Sequence, residues 1–315
     1  MANYNVQTTG SAGMSPELRT FYDKQLIENA KPILVHNQFG QKRPIPKGEG
    51  QTINFRKFSP LPKATIPLTE GVTPDGRSVN ITQKTAKVAQ YGDYITVSDV
   101  LELTAPDRVI VENNKLLGVQ AGETLDAVTA AVLNAGTNVQ LVGEAESRGD
   151  ISKASVLTVD EIKKAVTTLK KMKARPIDGS FVAIIHPTVS YDLMSDPEWV
   201  NVKNYDSKDL YNGEIGKLYG VRFVETTEAK VFAGACADGA NVYSTLVLGA
   251  DAYGVTEVTG GGLRMIAKPK GSGGTSDPLE QRSTQGWKAT HVAEILTEEF
   301  MVRIESGASL DEVGA

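Results

Sequence analysis

The chain has 315 residues, 40% of them hydrophobic and 23% charged, which supports a packed core and excludes a wholly disordered protein. Its single cysteine, Cys236, excludes an internal disulfide framework and a Cys-rich zinc module, and no apolar run reaches the ~18 residues needed to span a membrane. Residues 1–100 carry 12 Lys/Arg and 8 Asp/Glu, whereas residues 101–315 carry 21 Lys/Arg and 30 Asp/Glu, so copies of the chain can attract one another. The pI near 5.4 does not favour a dedicated nucleic-acid binder.

The first predicted element is a helix over residues 15–31. Ser15 can cap its start, Pro16 suits its first turn and Pro32 ends it. Between them, apolar and aromatic residues recur at helical spacing.

Residues 41–98 are predicted to form an extended β-hairpin with little core of its own. Six of the 14 prolines fall in this segment and separate short β-like runs at 52–58, 78–82 and 88–97. An isolated hairpin is marginal in water. Two interpretations remain open: the hairpin lies on another molecule that covers it, or it is a mobile, solvated surface loop.

A single long helix is predicted over residues 104–135, with Gly118 and Gly122 as positions where it bends. An α/β pattern follows from residue 156. It comprises a helix over 158–173 with a capping box at Thr158 and Glu161, a buried strand over 181–185, and a short helix after His186-Pro187.

Further strands are predicted at 219–225, 242–248, 252–258 and 263–268, followed by a Gly/Ser-rich linker over 269–286. Regular structure resumes over 287–297. The final strand, over 299–305, alternates apolar residues with Met301 and Arg303 and is expected to have one wet face.

No constellation of residues predicts catalysis, a cofactor or a metal. His36, His186 and His291 are each isolated, without a carboxylate or second histidine at ligand spacing. Cys236 has no nearby base to activate it. The carboxylates of Asp196 and Glu198, and the basic edge of the 158–173 helix, are equally well explained as solvated surface. We therefore expect a protein that is not an enzyme.

The order of these elements resembles the major capsid protein fold of tailed phages, and several stretches are similar to the major head proteins typified by phage N four. The resemblance covers about residues 15–306 and is carried by a collinear set of motifs: Ile184-Ile185-His186-Pro187, Asp196-Pro197-Glu198-Trp199, Gly213-Glu214-Ile215-Gly216, Gly220-Val221-Arg222-Phe223-Val224-Glu225-Thr226, Leu248-Gly249-Ala250-Asp251-Ala252-Tyr253-Gly254, Ser276-Asp277-Pro278-Leu279, Gly286-Trp287-Lys288 and Val302-Arg303-Ile304-Glu305.

The resemblance implies an α+β fold of the Hong Kong 97-like type, divided as in that family. Residues 1–40 would be an N-terminal arm and 41–98 the extended loop that reaches over a neighbouring subunit. Residues 99–151 and 275–315 would form a peripheral domain with the long spine helix, and 152–274 the axial domain. The residues expected to contact a neighbour lie in or beside the extended loop: Arg43, Lys47, Arg56, Lys57, Phe58 and Lys63.

The function that the resemblance implies is self-assembly into an icosahedral shell of hexamers and pentamers around double-stranded DNA. Expected partners are copies of the chain, the packaged DNA through non-specific contact, and portal, scaffolding and decoration proteins; no membrane is involved. The expected location is the virion, after assembly in the host bacterial cytoplasm. The alternatives are a bacterial protein-compartment shell of the same fold and a cytosolic α/β enzyme with an oligomerisation arm.

Overall fold

The computed structural model describes residues 26–30, 33–44, 51–58, 61–68, 70–73, 75–104, 109–203, 214–256, 262–274 and 277–311. Its strands are β1 (Gln41–Arg43), β2 (Thr52–Phe58), β3 (Ile81–Lys87), β4 (Ala89–Ser98), β5 (Val139–Leu141), β6 (Phe181–Ile185), β7 (Glu214–Leu218), β8 (Val221–Glu225), β9 (Val231–Phe232), β10 (Val242–Leu248), β11 (Tyr253–Thr256), β12 (Leu263–Lys268), β13 (Arg282–His291), β14 (Ala293–Ile295) and β15 (Met301–Ser306). Its helices are α1 (residues 26–30), α2 (Asp99–Thr104), α3 (Val109–Leu133), α4 (Val159–Lys171), α5 (Pro187–Ser195) and α6 (Pro197–Lys203).

A mixed sheet with the strand order β5-β15-β10-β6-β8-β7 forms the centre of the α/β part, and β9 pairs with β10 at its side. Alternate side chains of these strands serve opposite faces, as strand geometry requires. One face packs on α4 through Ile162 and Leu169, among others. The other face is covered by Leu133 at the end of α3 and by Tyr253 of β11.

Because both faces are covered, β15 is buried along its whole length. The predicted wet face is therefore wrong, and the polar side chains on that face are paired inside the protein. Glu305 is 1% exposed and accepts two hydrogen bonds from the Arg148 guanidinium, at 2.7 and 2.6 Å. The Nε atom of Arg303 lies 2.9 Å from the same carboxylate, and Nη1 of Arg303 donates to the carbonyl of Gly136.

A second, antiparallel sheet has the order β12-β13-β4 and packs on α3. The predicted long helix is confirmed over Val109–Leu133, while the chain before it forms the separate helix α2. Gly118 and Gly122 allow α1 to approach α3 closely. A Cβ at Gly122 would lie 2.9 Å from the carbonyl oxygen of Ala30, and one at Gly118 would lie 2.8 Å from Cβ of Asn29.

Two smaller sheets complete the fold. Strand β1 runs parallel to β11, which pairs antiparallel with β14, so residues more than 200 positions apart are hydrogen-bonded neighbours. Strands β2 and β3 form a separate hairpin, paired from Thr52↔Lys87 to Phe58↔Ile81.

Several predicted boundaries differ from the structure. The strand predicted over 78–82 is β3 and begins at Ile81, and β4 belongs to the sheet with β13 instead of the hairpin. The 269–286 linker already contains the start of β13. The predicted 15–31 helix is confirmed over residues 26–30, and its remainder lies outside the described residues.

The capping box predicted for α4 does not form, because the Thr158 side chain makes no capping hydrogen bond. Glu161 instead accepts hydrogen bonds from Gln140 (2.7 Å) and Lys164 (2.8 Å). Asp196 caps the helix from a distance in sequence: its Oδ2 accepts from the backbone N–H of Val159 at 3.1 Å, and its Oδ1 accepts from the N–H of Glu198 in α6. One carboxylate thus serves two helix N-termini.

The predicted division into axial and peripheral domains stays a prediction. Strand β15, within the range expected for the peripheral domain, lies in the same sheet as β6, β8 and β10.

Glu112–Leu133 is the one helix in the described part of the chain whose length and hydropathy would allow a membrane span. Half of that stretch is buried within the protein, including the polar side chains of Asn114, Asp126 and Thr129. Leu117, Ala121 and Leu125 pack against Trp287 and its neighbours on the sheet, as expected for a core helix.

Candidate functional site

The β2–β3 hairpin, together with the chain between its strands, forms an arm whose root is anchored in the protein. Ile53, Phe55 and Ala86 are buried and pack with Leu296. A Cβ at Gly254 would overlap the Phe55 ring, so glycine is needed where β2 crosses β11. Nζ of Lys84 donates to the carbonyl of Ile295 at 2.9 Å. The hairpin has little core of its own, and its root is covered by Leu296 of the same chain.

Beyond the root, the arm exposes large apolar side chains. The exposed fractions reach 80% for Ile66 and 77% for Leu68, and Leu61, Val72, Val79 and Ile81 are also more than half exposed. Single apolar residues are ordinary on a protein surface, but six large ones exposed within residues 61–81 favour a surface that another molecule covers. This observation favours the first of the two interpretations of the segment.

The residues predicted to contact a neighbour are distributed along the arm and beside it. Arg56 is exposed in the middle of β2, Lys57 and Phe58 occupy the end of that strand opposite Thr82 and Ile81, and Lys63 is exposed farther out. Arg43 lies apart from them, in β1 opposite Thr256 of β11, and Lys47 lies outside the described residues. Their role in contacts stays a prediction.

The prediction from sequence selected residues of the arm mainly for their positive charge, and it therefore missed the exposed apolar residues. The available signal is the Ile66-Pro67-Leu68 run, which places two large apolar residues within a proline-rich stretch. Such a stretch cannot form a regular internal strand, since proline removes a backbone donor.

The histidines are structural. Asp126, which is distant in sequence from His36, accepts a hydrogen bond from the backbone N–H of His36 at 2.7 Å. The other carboxylate oxygen of Asp126 lies 2.6 Å from Nδ1 of the His36 ring. His186 caps α5 by accepting from the N–H of Thr188. Among the described residues, no three His, Cys, Asp or Glu side chains come together as a metal site would require.

His291 is held between two hydroxyl groups in the core. Its Nε2 lies 2.9 Å from Oγ1 of Thr129 and its Nδ1 lies 2.7 Å from Oγ1 of Thr256. Burial lowers the pKa of His291 to about 4. The folded chain therefore keeps this ring neutral at pH values where the unfolded chain protonates it.

We expect acid to destabilise the unassembled subunit through His291. Between the unfolded pKa of about 6.5 and the folded pKa, the unfolded state binds more protons, so stability falls as the pH drops, by up to about 3 kcal/mol. Urea unfolding at several pH values between 7.5 and 4.5 measures the slope, and His291→Gln should reduce it. Equal slopes for the wild type and the variant would contradict this assignment.

Cys236 is equally unsuited to chemistry. Burial raises the pKa of its thiol to about 11, so the nucleophilic thiolate is scarce at neutral pH. The thiol donates to the carbonyl of Asn241 at 3.2 Å.

From the sequence, the Glu198 carboxylate is compatible with a solvated surface. In the structure it accepts hydrogen bonds from Lys163 and from the hydroxyl of Tyr219. The Lys163 hydrogen bond is the main reason why the pKa of Glu198 is lowered. The group pins α6 to α4 and to the β7–β8 turn.

Proteins of known family and known structure share this architecture. A family model described as phage capsid protein matches residues 82–304. Among solved structures, the capsid of Ralstonia phage GP4 is similar with a TM-score of 0.72 at 13% identity, over 96% of both chains. The capsid asymmetric unit of cyanophage Pam1 is similar with a TM-score of 0.65 at 15% identity, over 98% of both chains.

A virus-like particle from Pyrococcus furiosus is also similar, with a TM-score of 0.54 at 10% identity, over 91% of this chain and 99% of that one. No curated protein matches the chain. At these identities the structural matches establish the fold, and they confirm the predicted α+β, Hong Kong 97-like architecture.

Proposed function

Because the chain belongs to the family of phage capsid proteins, we propose that it is the major subunit of a phage head, a non-enzymatic protein that self-assembles into an icosahedral shell around double-stranded DNA. The observation that carries the proposal is the arm, which is anchored at Phe55 and exposes apolar side chains beyond Phe58. An exposed arm of this kind suits a protein whose partner is a neighbouring copy of itself.

In this proposal the arm reaches onto the next subunit of a hexamer or pentamer. The contact includes six residues in or beside the arm: Arg43, Lys47, Arg56, Lys57, Phe58 and Lys63. The packaged DNA is held by non-specific contact, and portal, scaffolding and decoration proteins are further partners of the shell. Assembly takes place in the host bacterial cytoplasm, and the mature protein resides in the virion.

Negative-stain electron microscopy of the purified chain at assembly concentration tests the proposal. We expect closed icosahedral particles. Small oligomers only, together with a turnover abolished by altering one pocket residue, would favour an enzyme with an oligomerisation arm.

The second candidate is the protein-compartment shell of the same fold that the sequence analysis left open. The two shells differ in what they contain. Nuclease-protected double-stranded DNA in particles purified from infected cells indicates a phage head, and protected cargo protein without DNA indicates a compartment.

A further inference from the structure

The basic edge of α4 consists of two parts that differ in their ion pairs. Residues 162–177 carry six Lys or Arg side chains and no Asp or Glu. In the first part, Nζ of Lys163 lies 2.5 Å from the carboxylate of Glu198, and Nζ of Lys164 lies 2.8 Å from that of Glu161. Carboxylates of the same chain therefore neutralise these two cations.

The second part, the basic end of α4, has no such partners. Its four cations are exposed, and within the described residues no ion pair reaches any of them: Lys170, Lys171, Lys173 and Arg175. Two exposed carboxylates belong to the surrounding loops, Asp178 in the turn before β6 and Asp251 next to Ala250, whose N–H donates to the carbonyl of Arg175. Four cations beside two carboxylates leave this surface with a net positive charge.

The end of a helix accounts for only some of these cations. The negative end of the helix dipole favours Lys170 and Lys171 in the last turn. The N–H of Lys173 donates to the carbonyl of Lys170, the N–H of Ala174 donates to that of Leu169, and Lys173 takes the left-handed position that ends the helix, with a φ of 59°. Glycine is the usual residue there because a Cβ strains this backbone. A lysine at this position favours a use for its charge.

The composition of the basic end fits phosphate groups better than a protein surface. A protein interface has an apolar centre inside a polar rim. Among residues 170–175, Met172 is the one large apolar side chain that is exposed. Lysines on flexible stems contact phosphates without regard to base sequence. Because residues 101–315 are net negative, the basic end is a local site where a polyanion can approach an otherwise acidic surface.

We propose that the basic end of α4 contacts the sugar-phosphate backbone of the packaged duplex DNA. The proposal rests on the proposed function and names the surface that meets the DNA. It also orients the subunit, because the face of the central sheet that α4 covers is then turned to the interior of the shell. The contact is electrostatic, so it weakens steeply as the salt concentration rises.

Binding of a fluorescein-labelled DNA duplex to the unassembled subunit, followed by fluorescence anisotropy from about 50 to 200 mM NaCl, tests the contact. The test variant is Lys170→Gln with Lys171→Gln, and its Tm should be unchanged because both lysines are exposed and unpaired. The control is Lys163→Gln with Lys164→Gln, which removes the same charge from the same helix at the two paired positions.

We expect the test variant to bind the duplex about tenfold more weakly at the lowest salt concentration, and its plot of log Kd against log salt to lose about 2 in slope, roughly one per phosphate contact. The control should change the affinity by less than about threefold, because carboxylates already neutralise its lysines. Equal losses in the two variants would overturn the proposal, since binding would then follow net charge alone.

Lys173→Gly separates binding from a structural role at the helix end. Glycine relieves the left-handed strain, so the Tm should rise. The same change removes one cation, so the affinity for the duplex should fall by about threefold. An affinity equal to that of the wild type would overturn a binding role for this position.

The orientation is tested in DNA-filled particles. Met172→Cys places a thiol within the basic end, and a polyethylene-glycol maleimide should label it in the free subunit but not in intact particles. The wild type gives the background, because its single cysteine, Cys236, is buried. Labelling of intact particles would overturn the proposal.

Two further outcomes separate the possible partners. A Lys170→Gln, Lys171→Gln variant that binds the duplex as tightly as the wild type but no longer assembles would overturn the proposal in favour of an acidic protein partner. Wild-type chains that bind the duplex through these lysines but build no closed particle would instead contradict the proposed function, so the two failures are distinguishable.

Discussion

Replacing residues 59–80 by Asn-Gly is expected to give a folded subunit that no longer builds shells. Phe58 and Ile81 are paired at the ends of β2 and β3, and a two-residue Asn-Gly turn closes such a hairpin. The buried root at Ile53, Phe55 and Ala86 remains, so the free energy of unfolding should change by less than about 1 kcal/mol. The exposed apolar surface that a neighbour would cover is lost.

Size-exclusion chromatography and negative-stain microscopy measure the effect. Ile66→Ser with Leu68→Ser is the smaller version of the same test and should weaken assembly at an unchanged Tm. Met172→Ser, at another exposed apolar side chain just after α4, is the control and should assemble normally. Normal particles from the shortened arm would contradict a role for the arm in the contact.

Glu305→Ala is expected to destabilise the subunit more than any surface change, by about 3–5 kcal/mol, because the buried guanidinium of Arg303 and the half-buried one of Arg148 lose their shared carboxylate. The hydrogen bonds that Arg148 donates to Glu305 are also the main reason why the pKa of Arg148 is raised. Urea unfolding of the unassembled subunit measures the difference.

Two further variants separate this effect from the general cost of removing a charge. Glu112→Ala breaks the Glu112–Lys115 pair, which has a similar distance of 2.9 Å but is exposed, and should cost less than about 0.5 kcal/mol. Replacing Arg148, Arg303 and Glu305 together by Met, Met and Leu should recover most of the stability, since no charge is then left unpaired. A Glu305→Ala cost as small as that of Glu112→Ala would show that the carboxylate is dispensable.

The sequence predicts local structure well where periodicity is strong. The α4 helix, the fully apolar β6 and the strand β10 lie close to their predicted positions, because α4 has a helical apolar period and β6 is a short, continuous apolar run. The order of elements together with the motifs also leads to the correct fold.

The sequence could not reveal contacts between distant residues. Asp126 reaches His36, and Asp196 caps α4, only because the fold brings separate segments together. The same holds for β15, whose polar residues give it the pattern of a half-exposed strand although a buried ion-pair cluster satisfies them.

The position of β15 has a consequence for how the subunit is made. Residues 301–306 are hydrogen-bonded between β5 and β10, two strands that leave the ribosome much earlier. A nascent chain therefore carries an unfilled gap in its central sheet until residue 306 has emerged. Chains cut short before residue 301 lack β15 and cannot close this sheet, so we expect them not to reach the native fold.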